Sequence, residues 1–287
     1  MASAFAELAG DDPAEATRNA LVRLQDVLAR LGRLVVAFSG GADSALVAAV
    51  ATGLLGAEHV LCATAVSPSL APEDLAHCAR IAEEWGLRWQ AVTTNELDDP
   101  AYVRNDLDRC YHCKRELMDV LTPMADSERA TVVLGVNLDD LNDHRPGQRA
   151  AAERGAVFPL VQAGLDKATV RNVSKDLGLS TWDRPAAACL ASRLPHGTPV
   201  SLGVLDQVAA GESALRQLGF NALRVRHYGD LARIELPLGD LDRALAVRGA
   251  IVSALRSAGY RYVTIDLEGL RSGNLSAPAH DRERLGR

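Results

Sequence analysis

Apolar residues first recur at helical spacing. Asp12-Pro13-Ala14-Glu15 has the chemistry of a helix start: a side chain that can cap, a proline suited to the first turn and an acid that can reach back. Behind it Leu21, Leu24, Val27, Leu28 and Leu31 fall on one face, and Gly32 ends the run. The period then changes. Residues 34–38, Leu-Val-Val-Ala-Phe, form a short, continuously apolar, β-branched stretch, the pattern of a parallel strand buried on both faces. A Gly/Ser loop at 39–44 interrupts it, and a helix is expected over 45–55. Further strands are expected at 60–66, 87–92 and 132–136. Helices are expected after Pro72, where Leu75, Cys78, Ala79 and Ala82 share a face, and over 111–124, with 96–110 irregular. This alternation predicts βαβ units and a parallel sheet covered by helices on both faces.

The rhythm shifts after the Pro/Gly-rich segment 184–199. A helix over 201–218, strands at 221–228 and 231–236, a helix over 240–258 and a strand at 260–266 predict a second, smaller α+β domain. The expected division is residues 12–195 and 196–275, with a polar, fraying tail at 276–287.

Composition supports this class. The 287 residues are 48% hydrophobic and 24% charged, enough for a sizeable core, and only 4% aromatic, which suits helices on a sheet better than a β-sandwich. A net charge of −6 argues against a nucleic-acid partner, because such proteins usually present a basic domain. No basic segment followed by an apolar block opens the chain, and no apolar run is long enough to span a membrane, so a cytoplasmic protein is expected. Its five cysteines, an odd number, then read as core residues or as reactive or ligating thiols, not as a disulfide framework.

Strand, then Ser39-Gly40-Gly41-Ala42-Asp43-Ser44, then helix is the strongest local signal. The glycines let the backbone turn tightly against an anion, the helix start supplies free N–H groups and the positive end of its dipole, and Ser39 and Ser44 add hydroxyl donors. Asp43 can cap the helix or hold Mg²⁺ on a departing pyrophosphate. No Gly-Lys-Ser/Thr follows, so this is not a Walker loop. The six residues resemble the PP-loop, S-G-G-x-D-S, of the ATP-pyrophosphatases. That resemblance implies an adenine-nucleotide alpha-hydrolase-like fold and cleavage of ATP between its α- and β-phosphates.

Four further stretches are similar to LarE-type sulfur transferases. Gly135-Val136-Asn137-Leu138-Asp139-Asp140, running on through Asp143 and Arg145-Pro146-Gly147 to Phe158-Pro159-Leu160, matches one motif, and Asp140, Asp143 and Arg145 are nucleotide or Mg²⁺ candidates. Residues 185–197, centred on Ala188-Cys189-Leu190-Ala191-Ser192-Arg193, resemble the sulfur-donating cysteine segment. A lone cysteine is usually core, but flanking prolines and Arg193 point to a working thiol, with Ser192 and Arg193 beside it. Leu223-Arg224-Val225-Arg226-His227 with Arg233-Ile234-Glu235, and residues 262–273, resemble the remaining motifs. They imply a substrate-phosphate site formed by Glu212, Arg224, Arg226, Glu235 and Arg271. By itself the alternation of Arg224 and Arg226 shows only that both face one side of a strand.

The resemblance, over roughly residues 15–275, implies ATP- and Mg²⁺-dependent adenylation of the carboxylates of pyridinium-3,5-biscarboxylic acid mononucleotide. Their conversion to thiocarboxylates would serve biosynthesis of the nickel-pincer cofactor of lactate racemase-type enzymes. It also implies a homo-oligomer, in that family a hexamer. Two sulfur sources stay open: Cys189 sacrificed to dehydroalanine, or a [4Fe–4S] cluster on Cys110, Cys113 and Cys189, since Cys110 and Cys113 are spaced as a CxxC between Arg109 and Lys114. Rival readings are a tRNA-thiolating PP-loop enzyme, an amide-forming ligase of the NAD/GMP synthetase type, and a non-enzymatic nucleotide or sulfur-carrier module. Cys62 and Cys78 read as core.

Overall fold

The computed structural model describes residues 13–142, 146–184 and 188–271. Asp12, Asp143, Arg145 and the tail 276–287, all of which carry expectations above, lie outside them. α1 (Pro13–Leu31) buries Ala20, Leu24, Val27 and Leu28 on one face and stops at Gly32, whose φ of +72° is strained for any side-chain-bearing residue. β1 (Leu34–Ala37) leads into α2 (Ala42–Leu55), which begins three residues earlier than expected. The reason is local: Gly41 O accepts from Ala45 N at 2.9 Å and from Ser44 Oγ at 3.2 Å, so the helical ladder starts at Gly41. Asp43 and Ser44 therefore belong to the first helical turn.

β2 (Val60–Val66), α3 (Pro72–Glu84) and β3 (Trp89–Thr93) follow. The stretch expected to be irregular contains a 3₁₀ turn at Glu96–Asp98 and α4 (Pro100–Val103), where Asp99 caps Ala101 N at 2.9 Å. α5 (Arg109–Glu128) is longer than expected at both ends and runs past Pro123. After β4 (Thr131–Leu134) come α6 (Pro146–Glu153), α7 (Pro159–Gln162) and α8 (Lys167–Asp176), helices that the apolar pattern did not announce. α9 (Leu202–Gln217), β5 (Arg224–Tyr228) and β6 (Leu231–Glu235) match expectation closely. The single helix expected over 240–258 is two, α10 (Leu241–Ala246) and α11 (Arg248–Ser257), broken at Val247, whose ψ of 20° leaves the helical region. β7 (Tyr262–Ile265) is the last strand.

The molecule is α/β. The first sheet is four-stranded and parallel, in the order β3-β2-β1-β4. Its strands alternate between two buried layers: Leu34, Val36, Val60 and Cys62 pack on one side, Val35, Leu61, Ala63 and Val132 on the other. The second sheet, β5-β6-β7, joins an antiparallel hairpin to a parallel strand and packs Val225, Ile234, Leu215, Ile251 and Leu255 into a separate core. The chain forms two compact units. One comprises the described residues up to 66 with 72–94 and 113–187; the other comprises 67–71, 95–112 and those from 188 onward. The second unit thus gathers two short upstream segments, tied to it by Leu190 N to Ser69 O (2.8 Å), Gly197 N to Asn105 O (3.0 Å) and Val200 N to Val103 O (2.9 Å). No helix among the described residues is long and apolar enough to cross a membrane.

Candidate active site

In the first unit the strand order reverses between β1 and β4, the place where open α/β sheets gather ligands beyond their carboxyl ends. Ser39, Gly40 and Gly41 leave β1 there. Gly40 is buried at φ +68°, and a Cβ on it would lie 2.9 Å from the His77 ring and 3.0 Å from Cys78 Sγ. Gly135 closes the other side: a Cβ would sit 2.5 Å from Ser44 N, so only glycine lets the β4 end lie against the first turn of α2. Ser44 Oγ links the turn to itself, accepting from Ser39 N at 3.2 Å and lying 3.0 Å from Ser39 Oγ. The N-cap, Gly41, offers no side chain to the first-turn N–H groups of α2.

Carboxylates converge on this turn. Asn137, fully buried, donates to Asp43 Oδ1 at 2.9 Å, while its own N–H reaches Asp140 Oδ2 at 3.2 Å. Burial pushes the Asp43 carboxyl up, and the Asp140 charge adds to this; the Asn137 bond and Lys167 offset them only in part. Two carboxylates that supply hard oxygen donors beside an anion cradle fit a Mg²⁺ ion shared with phosphate. His77 holds the opposite side. Its Nδ1 accepts from Arg80 at 2.9 Å, so Nε2–H donates to Gly40 O at 3.3 Å. Burial, then Arg184 and Arg80, hold its pKa below the usual value.

In the second unit Cys189 is half-buried and caps a 3₁₀ turn, Leu190–Arg193. Its carbonyl oxygen accepts from Ser192 N at 2.9 Å and from Arg193 Nη1 at 3.2 Å. Arg193 Nη1 also donates to Ala188 O at 2.6 Å and Ser192 Oγ at 3.1 Å. The rest of the guanidinium meets Glu212 in a two-pronged pair, Nε–Oε1 2.8 Å and Nη2–Oε2 3.0 Å. Glu212, wholly buried, further accepts from Arg216 at 3.0 Å and from Val225 N at 3.1 Å. Arg193 therefore acts on Glu212 and the backbone of the Cys189 turn, because a buried cation needs its charge and donors matched.

The paired strands add a second layer. Arg226, 2% exposed, donates to Ser192 O at 2.8 Å and to the buried Glu235 at 2.8 Å, and Glu235 takes a further bond from Arg233 at 3.1 Å. The Nε of Arg226 is buried with no hydrogen-bond partner among the described residues. Arg224 donates to Arg271 O at 3.0 Å, and Arg271 itself pairs with Glu268. Burial, then the Arg226 and Arg193 charges, disfavour the Arg224 charge. Glu212 and Glu235 offset Arg193 and Arg226, so the guanidinium of Arg224 is the one of the three best suited to a phosphate.

Sequence reasoning passed over Asn105 and Arg109. Asn105 is fully buried at φ +58°, a costly conformation for a residue with a side chain. Its Nδ2 donates to Pro195 O (2.9 Å) and Thr198 O (2.8 Å), and its Oδ1 accepts from Arg109 at 2.6 Å. Arg109, 7% exposed, also reaches Ala191 O at 2.8 Å. Burial works against the Arg109 charge, but the Cys189 and Cys110 sulfurs outweigh it and raise its pKa. The only advance signal was an arginine beside Cys110.

Cys62 and Cys78 are buried, and burial pushes the Cys62 thiol up to about 12. Cys110 is exposed and Cys113 half-buried at the start of α5. Among the described residues no three His, Cys, Asp or Glu side chains gather as a metal-ligand set. The three-thiolate expectation for Cys110, Cys113 and Cys189 gains no support from this.

Residues 22–132, which contain the glycine turn and most of the parallel sheet, match the NAD synthase family. The turn, its place at the sheet's switch point and this match define an ATP-using PP-loop protein. Over 247 residues the chain is 38% identical to the pyridinium-3,5-bisthiocarboxylic acid mononucleotide synthase of Lactiplantibacillus plantarum, covering 86% of this chain and 90% of that one. It is also 44% identical over 259 residues to an uncharacterized protein of a Synechocystis strain (89% and 96% covered) and 27% identical over 241 to one of Methanocaldococcus jannaschii (84% and 91%). The chain belongs to the LarE-type sulfur transferase family.

Proposed function

We propose that this protein activates the carboxylates of pyridinium-3,5-biscarboxylic acid mononucleotide with ATP and replaces a carboxylate oxygen with sulfur carried by Cys189, one sulfur per chain, so that two chains are consumed for each dicarboxylate fully converted. A substrate carboxylate oxygen attacks the α-phosphorus of ATP, the α–β bridge breaks, and pyrophosphate leaves an acyl adenylate. First-turn N–H groups of α2 and the Ser39 and Ser44 hydroxyls cradle the phosphates. A Mg²⁺ ion held by Asp43 and Asp140 would offset charge on the pyrophosphate. The Cys189 thiolate attacks the acyl carbon and AMP leaves, giving a thioester. Loss of the Cys189 Cα proton to a base then breaks its Cβ–S bond. The thiocarboxylate departs with the electron pair, and dehydroalanine stays in the chain. Arg224 and Arg226 take the nucleotide phosphate, with Arg271 beside them.

The observation that carries this reading is a half-buried cysteine capping a turn on which Arg193 and Arg226 both donate from buried ion pairs. The test is to incubate the protein with ATP, Mg²⁺ and the dicarboxylate nucleotide. Pyrophosphate should be released and the protein should lose about 34 Da, one H₂S, at Cys189. Pyrophosphate with an intact Cys189 refutes the sacrificial route. No pyrophosphate refutes adenylation of this substrate, and turnover only with ammonia or with tRNA would select one of the rival enzymes.

A further inference from the structure

Two carbonyls of the Cys189 turn each take a turn N–H and a guanidinium N–H: that of Ala191, from Leu194 N at 3.2 Å and Arg109 at 2.8 Å, and that of Cys189, the residue that carries the sulfur. The Cys189 oxygen takes its turn N–H from Ser192 at 2.9 Å and its guanidinium N–H from Arg193 at 3.2 Å. Arg193 cannot wander from this post: its other nitrogens are closed on the wholly buried Glu212 at 2.8 and 3.0 Å. A guanidinium fixed in this way reaches no outside anion through those atoms, so its service to substrate is indirect. Donors on a carbonyl oxygen stabilise negative charge that spreads to that oxygen from the adjacent α-carbon. They therefore make the Cα–H of the same residue easier to remove.

We propose that Ser192 N–H and Arg193 form an oxyanion-type site for the main-chain carbonyl of Cys189, and that this site drives β-elimination of the Cys189 sulfur together with whatever group it carries. The inference rests on the function proposed above and assigns its last step. A base takes the Cα proton, the electron pair is held by the carbonyl oxygen under the two donors, and it then forms the Cα=Cβ bond as the Cβ–S pair leaves with sulfur. Glu212 is the positioning residue that aims Arg193. No oxidant or reductant enters.

The step can be read without substrate. Arylation of the folded protein with 1-fluoro-2,4-dinitrobenzene turns each accessible thiol into one bearing a good leaving group. At mildly alkaline pH elimination releases the coloured dinitrothiophenolate, and peptide mass spectrometry assigns each dehydroalanine. Cys110, exposed on a regular helix, is the internal reference. Elimination at Cys189 should outpace Cys110 by about 10²-fold. Arg193→Gln should bring the two together, and Arg193→Lys should restore part of the difference. Equal rates in the unaltered protein overturn the proposal, as does a folded Arg193→Gln protein that eliminates at the original rate. If Arg193→Gln does not fold, the comparison within the unaltered protein decides alone. Absence of pyrophosphate release with the dicarboxylate nucleotide would instead strike the function proposed above, and the elimination rate at Cys189 would still be measured separately from it.

Discussion

The two turns at which chemistry is expected are built from opposite materials. Ser39–Ser44 is made of main chain: a left-handed glycine, a helix start capped by glycine, and a second glycine, Gly135, whose missing side chain lets β4 approach. The Cys189 turn is made of buried charge: Arg193 on Glu212, Arg226 on Glu235, and both arginines on main-chain carbonyls of the turn. A phosphate site shaped from N–H groups offers the same donors at every pH but tolerates no extra atom. A site aimed by ion pairs tolerates small changes of shape but not the loss of one charge, since the partner left behind is buried and unmatched.

Four substitutions probe that contrast, from the largest expected effect to the smallest. Cys189→Ser should lower thiocarboxylate formation to background while pyrophosphate release continues, because the adenylation proposed above uses the glycine turn; parallel loss of both would merge the two sites. Glu212→Ala should cost about 3–5 kcal/mol in urea unfolding, the usual result of stranding a buried charge, here Arg193. Gly135→Ala should cost about 1–3 kcal/mol and raise KM for ATP, since its Cβ would meet main-chain atoms of Ser44. An unaltered KM would show that the turn shifts without penalty.

The smallest effect is a pH dependence at His77. Burial first, then Arg184 and Arg80, hold its pKa below 6.5 when folded. The unfolded chain therefore binds this proton more readily, and the stability contribution is complete above pH 6.5 and lost as pH falls through the folded value. Thermal unfolding of His77→Gln should accordingly decline less on acidification from pH 7 than that of the parent. An identical slope would show that His77 contributes nothing to the acid sensitivity.

The parallel sheet and its glycine turn were legible because a buried parallel strand and a Gly/Ser turn each leave a local signature: 34–44 can be read without knowing anything distant. The second sheet was legible for the same reason, its strands alternating Arg224, Val225 and Arg226. α6, α7 and α8 were not. α7 is a single turn of four residues, and α6 is eight residues of mostly small side chains. The role of Arg193 was missed because its partner, Glu212, lies 19 residues away on α9. Asn105 lies in a stretch expected only to be irregular, and only the folded chain brings the carbonyls of Pro195 and Thr198 to it.

α2 starts without a side-chain cap. A helix whose leading donors are left to a ligand couples occupancy to heat resistance. The melting temperature should climb with the logarithm of nucleotide concentration, by about 2.7 kcal/mol of added stability at a hundredfold excess over Kd. Thermal denaturation thus becomes a binding assay that needs neither turnover nor an intact sulfur.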